Sequence, residues 1–121
     1  MLVDDNVDSA EMLATILKGW GHDVRTAYTG PIGLKVAAEY LPEVVLLDIG
    51  LPEIDGYEVA RRIRRIPRLE GVKIVAMTGY GGEADIRLAE EAGFDSHQVK
   101  PINLVKIERL LTTLLSPPAG S

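Results

Sequence analysis

The chain has 121 residues, 46% of them hydrophobic, a formal net charge of −5 and no cysteine. That length makes about one domain, able to bury roughly two-thirds of its unfolded surface; the acidic balance leaves no basic footprint for direct nucleic-acid contact, and the lack of cysteine excludes a disulfide framework or a thiolate metal site. No apolar stretch approaches the ~18 residues that span a bilayer, and the start Met1-Leu2-Val3-Asp4-Asp5 lacks a basic and then long apolar leader, so a cytoplasmic chain without membrane contact is expected.

In chain order, a short apolar run at Leu2-Val3 precedes a helical pattern from Asp8 to Gly19, in which Met12, Leu13, Ile16 and Leu17 recur on one face and Gly19 and Gly21 mark the end. A strand is predicted from His22 to Tyr28, then a helix from Pro31 to Tyr40, where the missing proline N–H falls in the first turn. Glu43 to Asp48 reads as a strand. Gly56 to Arg65 reads as a helix capped by Asp55 with an acid, Glu58, three residues on. Val72 to Met77 is a strand, Glu83 to Ala92 a helix, Ser96 to Val99 a polar edge strand, and Asn103 to Leu115 a helix with Asn103 as cap. The stripe Leu104, Ile107, Leu110, Leu111 and Leu114 is assigned to the core, Trp20 to packing at the first helix end, and Arg61-Arg62-Ile63-Arg64-Arg65 to a solvated helix face. Strands alternating with helices predict an α/β fold, a doubly wound five-stranded parallel sheet covered on both faces. The domain is expected over residues 1–115, with 116–121, Ser-Pro-Pro-Ala-Gly-Ser, as a tail or linker. The first run is short against a mean strand of about five or six residues, which points to a module cut from a longer parent.

Asp4 and Asp5 follow the first apolar run and Asp48 closes the third. Doubly wound sheets bind ligands beyond the carboxyl ends of their strands, where strand order reverses. With strands one and three as neighbours, these carboxylates converge, and their repulsion calls for a cation. Oxygen-only ligands favour a hard ion, and magnesium, which keeps several waters, leaves room for a phosphoryl oxygen. Thr78 closes the fourth run with a hydroxyl donor, and Lys100 closes the fifth with a positive charge; Lys100-Pro101 is a candidate cis bond that would aim it.

With these residues in place, the chain resembles the receiver domain of two-component response regulators over essentially its whole length. The resemblance rests on Val3-Asp4-Asp5-Asn6, on Leu46-Leu47-Asp48-Ile49-Gly50-Leu51-Pro52 followed by Asp55-Gly56, on Met77-Thr78-Gly79, and on Ala92-Gly93-Phe94-Asp95 leading to Val99-Lys100-Pro101. It implies a flavodoxin-like three-layer sandwich with strand order 2-1-3-4-5. It further implies that Asp48 accepts a phosphoryl group from a phosphohistidine on a histidine kinase or histidine phosphotransfer domain. Asp5 would ligate Mg2+ directly and Asp4 through water, with Asp48 and the Gly50 backbone carbonyl completing the protein's share. Thr78 and Lys100 would grip the phosphoryl group and switch a surface read by a downstream protein or an attached output domain. Such a chain is a self-phosphorylating and self-dephosphorylating switch and turns over no external substrate. Gly93-Phe94-Asp95-Ser96-His97 with Lys100-Pro101-Ile102 is similar to receivers attached to hybrid sensor histidine kinases.

Two positions depart from the family pattern. His97 stands where the family usually carries Tyr or Phe as the switch side chain, so the output is expected to be less tightly coupled to phosphorylation, or coupled to pH through an imidazole. Ile102-Asn103 follows Pro101 where Phe is common, a change of packing. Gly50 and Tyr80 flank the acceptor and would govern water access. Three rival readings fit the residues less well. A flavodoxin-like electron carrier needs a hydroxyl- and glycine-rich phosphate loop after the first strand, where this chain has carboxylates; an aspartyl phosphatase needs a second acid two residues beyond the nucleophile, where Gly50 stands; a phosphorylation-independent docking module has no use for intact Asp5, Asp48, Thr78 and Lys100.

Overall fold

In the computed structural model, which describes residues 1–79 and 83–115, the apolar runs form the centre of a parallel sheet. Its elements are β1 (Leu2–Val3), α1 (Val7–Gly19), β2 (Thr26–Ala27), α2 (Gly30–Tyr40), β3 (Val44–Asp48), α3 (Gly56–Arg65), β4 (Lys73–Thr78), α4 (Glu83–Ala92), β5 (Ser96–Val99) and α5 (Leu104–Leu115). The strand order is β2-β1-β3-β4-β5, every pair parallel, as the resemblance implies.

Side-chain alternation divides the core into two layers. Val3, Val45, Leu47, Ile74 and Ala76 pack with Val59, Ala60 and Ile63 of α3, Ala37 of α2, and Ala89 and Ala92 of α4. Leu2, Val44, Leu46, Val75 and Met77 face Ala10, Leu13, Ala14 and Leu17 of α1 and Ile107 and Leu111 of α5. All five β3 residues are buried, as a strand covered on both faces requires. No helix among the described residues is long and apolar enough to cross a membrane.

Caps follow the sequence closely. Asn6 accepts from the Ser9 N–H, Thr29 from Ile32, Asp55 from Glu58 and Asn103 from Lys106, at 3.0, 3.2, 3.0 and 3.0 Å. Glu58 does not complete a reciprocal box, because its carboxylate pairs with Arg61 and Arg62. The strand expected over His22 to Tyr28 is shortened to Thr26–Ala27, because its ladder partner is only Leu2–Val3. Thr78 belongs to β4, opposite Val99. Met12 leaves the apolar face and is 66% exposed, Ala10 and Ala14 taking the buried positions beside Leu13 and Leu17. Of the α5 stripe, Ile107 and Leu111 are buried and Leu104 is exposed. The tail 116–121 lies outside the described residues.

One member of the arginine run is not solvated. Arg64 donates to the carbonyls of Gly93, Glu70 and Val72 and pairs with Asp95 Oδ2 at 2.7 Å. The same Asp95 oxygen accepts from the Ile74 N–H at 2.8 Å. This fork joins the end of α3, the start of β4 and the α4–β5 turn, and a single-point ammonium cannot reproduce it. Arg64→Met is expected to destabilise the domain by about 2–3 kcal/mol, since it leaves partly buried acceptors unpaired, and Arg64→Lys to recover less than half of that; denaturant unfolding measures both.

Candidate functional site at the carboxyl edge of the sheet

Register builds the site. Leu2 lies opposite Leu46 and Val3 opposite Leu47, so the residue after β1, Asp4, is brought level with Asp48, the last of β3. The period of two that sends Leu2 and Leu46 towards α1 and α5 sends Asp4 and Asp48 the same way. Asp4 is 4% and Asp48 7% exposed, whereas Asp5 is exposed. One carboxylate oxygen from each of Asp4, Asp5 and Asp48 lies within 4.8 Å of the others.

Each buried carboxylate has one oxygen engaged locally and one turned to a shared cation. Asp4 Oδ1 accepts from the Asn6 N–H at 3.0 Å and Asp48 Oδ1 from the Gly50 N–H at 3.1 Å. Lys100 Nζ lies 3.3 Å from Asp48 Oδ2 and 3.6 Å from Asp4 Oδ2. Burial holds the Asp4 carboxyl above its ordinary pKa; the Asn6 N–H opposes this, the Asp48 charge adds to it and the Lys100 charge opposes it. One ammonium pairs with two of the three carboxylates, so the cluster carries an excess of negative charge. Its donors are all oxygen, the set a small hard divalent cation takes.

The other expected residues stand around this cluster. Thr78 is buried at the end of β4, and its carbonyl accepts from the Lys100 N–H at 2.7 Å, so the two residues are joined through the main chain. Lys100-Pro101 is cis. His97 is half-buried, opposite Ala76 in the sheet, and lines a cavity of about 60 Å³ with Ile86, Ala89, Glu90 and Phe94. Gly50 follows Asp48 in the loop to α3. Tyr80, expected to control water access, lies outside the described residues. A groove of about 410 Å³ adjoins the site, lined by Asp4 and Lys100 at one end and by Met12, Leu13, Ile16 and Leu104 beyond. Sequence reading did not single out Asn6 as the main-chain donor to Asp4; an Asx turn after the acidic pair was the signal available.

A carboxyl whose pKa is raised on folding binds its proton more tightly in the native state, so its contribution to stability is complete below the unfolded pKa and is lost as pH rises through the folded one. Without divalent cations, Asp4→Asn is therefore expected to be more stable than the wild type at about pH 7. The difference should shrink as pH falls towards the unfolded carboxyl pKa; thermal unfolding across pH measures it.

Comparison with known proteins identifies the family. The family model for the response regulator receiver domain matches residues 1–112. The transcriptional regulatory protein AfsQ1 of Streptomyces coelicolor is 38% identical over 84% of the chain, which spans 44% of that protein's length. A response regulator structure from Chloroflexus aurantiacus superposes with a TM-score of 0.89 at 31% identity, covering 96% of this chain and 95% of that one. The receiver domain of the sensor histidine kinase PA1611 from Pseudomonas aeruginosa, which carries a magnesium ion in its active-site cleft, superposes with a TM-score of 0.85 at 26% identity, with 93% of each chain covered. The chain belongs to the response regulator receiver domain family, the phosphorylation-accepting modules of two-component signalling.

Proposed function

We propose that Asp48 is the phospho-acceptor of this receiver and that Asp4, Asp5, Asp48 and the Gly50 carbonyl hold Mg2+ for the transfer. The observation that carries the reading is the convergence of three carboxylates and Lys100 at one sheet edge. When bound, the ion neutralises charge on the transferring oxygens and on the carboxylates around them.

The chain's own groups account for the rest. Asp48 is held at the end of a fully buried strand, with Oδ1 fixed by the Gly50 N–H, so its carboxylate meets phosphorus without searching conformations. The new Asp48 O–P bond forms as the P–N bond of the phosphohistidine breaks. The bonding pair returns to the ring nitrogen, and the ring, already protonated on its other nitrogen before transfer, departs as neutral imidazole. Lys100 Nζ, already beside Asp48, would follow the charge onto the phosphoryl oxygens, and the Thr78 hydroxyl would donate to one of them. Drawing Thr78 towards the phosphoryl group alters β4 next to His97 on β5, and through His97 the packing of α4.

The phosphohistidine belongs to a histidine kinase or phosphotransfer domain that enters over the apolar groove beside the site, where Met12 is 66% exposed. The product is read by a downstream protein or an attached output domain, and a net charge of −5 supports protein rather than nucleic-acid contact. This makes the chain a cytoplasmic switch with no external substrate. Incubation with phosphoramidate and magnesium is expected to add one phosphoryl mass to the intact protein, abolished by EDTA and absent in Asp48→Asn. Lys100→Met should slow the gain by about tenfold or more, as loss of a transition-state charge partner does. Uptake in Asp48→Asn equal to the wild type would contradict the assignment.

A further inference from the structure

We infer that Gly56 is a positioning residue for the acceptor, acting through the main chain of Asp48 and Ile49; the inference rests on the reading of Asp48 as acceptor. Gly56 is the first residue of α3 and is buried. A Cβ there would lie 2.6 Å from the Asp48 carbonyl oxygen and 2.6 Å from Ile49 Cα. Its φ lies outside the left-handed region, so the glycine is not required for backbone freedom, and in a helix alanine is preferred to glycine. What the position demands is space. The helix start is pressed against the peptide that follows the acceptor, and the Gly56 N–H donates to the Ile49 carbonyl at 2.9 Å.

The identity of the opposing atoms sets the consequence. Ordinary contact between carbon atoms is about 3.5–4.0 Å, so a methyl group at Gly56 requires roughly 1 Å of movement, and the atoms that must move are main chain. They carry Asp48, 3.3 Å from Lys100 Nζ, and the Gly50 N–H that fixes Oδ1. A misplacement of about 1 Å at a reacting group costs on the order of a hundredfold in rate. Gly30, the first residue of α2, provides the contrast. A Cβ there would be as close, 2.6 Å from Ile54 Cγ1 and 2.9 Å from Val59 Cγ2, but what must give there is the packing of two side chains, not the main chain that carries Asp48.

Gly56→Ala and Gly30→Ala are compared with the wild type for unfolding stability, for the saturating rate of phosphorylation by phosphoramidate, and for magnesium affinity by calorimetry. Gly56→Ala is expected to lose about tenfold to a hundredfold in saturating rate and to bind magnesium more weakly, while Gly30→Ala, at similar loss of stability, stays within about threefold of the wild type. Equal losses in the two variants, or an unchanged rate in Gly56→Ala, would overturn the inference. NMR of the wild type decides the matter even where Gly56→Ala does not fold. Addition of magnesium alone is expected to shift the Gly56 amide together with that of Gly50, and a Gly56 amide that stays in place while Gly50 moves would overturn the inference. A wild type that takes up no phosphoryl group counts against the acceptor reading instead, and the amide response still tests the positioning.

Discussion

Asp4 and Asp48 stand side by side because Leu2–Val3 is laddered to Leu46–Leu47, and neither carboxylate can leave without breaking a buried parallel pair. Two anions in largely buried positions, with a third from Asp5 close by, oppose folding unless charge of the other sign is supplied. Lys100 supplies part of it from the far side of the sheet edge. The domain thus holds a deficit of positive charge at the place proposed for a divalent cation and a phosphoryl group. Burial first, and the Asp48 charge after it, raise the Asp4 carboxyl against the opposing Asn6 N–H and Lys100.

The remaining architecture keeps the cluster from relaxing. Two apolar layers grip alternate residues of each strand, so a slip of one residue would turn the carboxylates into the opposite face. The Asn6 and Gly50 N–H groups each take one carboxylate oxygen and leave the other for chemistry. Arg64 and Asp95 tie α3, β4 and the α4–β5 turn together. That connection places the ends of β4 and β5, and with them Thr78, His97 and Lys100, on a frame shared with Asp48.

Much of this was legible in the sequence, because apolar runs that end in a carboxylate, a hydroxyl or a lysine record both the strand and its functional end. Helix boundaries fell within a residue or so where a side chain caps the helix, as at Asn6, Asp55 and Asn103. The second strand was overextended because its length depends on the partner strand, which its own residues do not encode. Arg64 was hidden inside a charged run, where composition suggests solvent and only the tertiary position of the Gly93, Glu70 and Val72 carbonyls shows otherwise. Gly56 read as part of a helix start, since the closeness of the Asp48 main chain is a property of two segments together. His97 was visible as a departure, and the structure places it between the sheet and α4.

The most direct test of the account is the dependence of wild-type unfolding stability on magnesium concentration at fixed ionic strength. Binding to the native state alone predicts stability that rises with the logarithm of magnesium, by about 1.4 kcal/mol per tenfold increase once magnesium is well above its dissociation constant. Substituting Asn for Asp5 and Asp48 should flatten the response. Wild-type stability that is indifferent to magnesium, or a response that survives those substitutions, would contradict the claim that the carboxylate cluster is a cation site and that the phosphorylation chemistry is built on it.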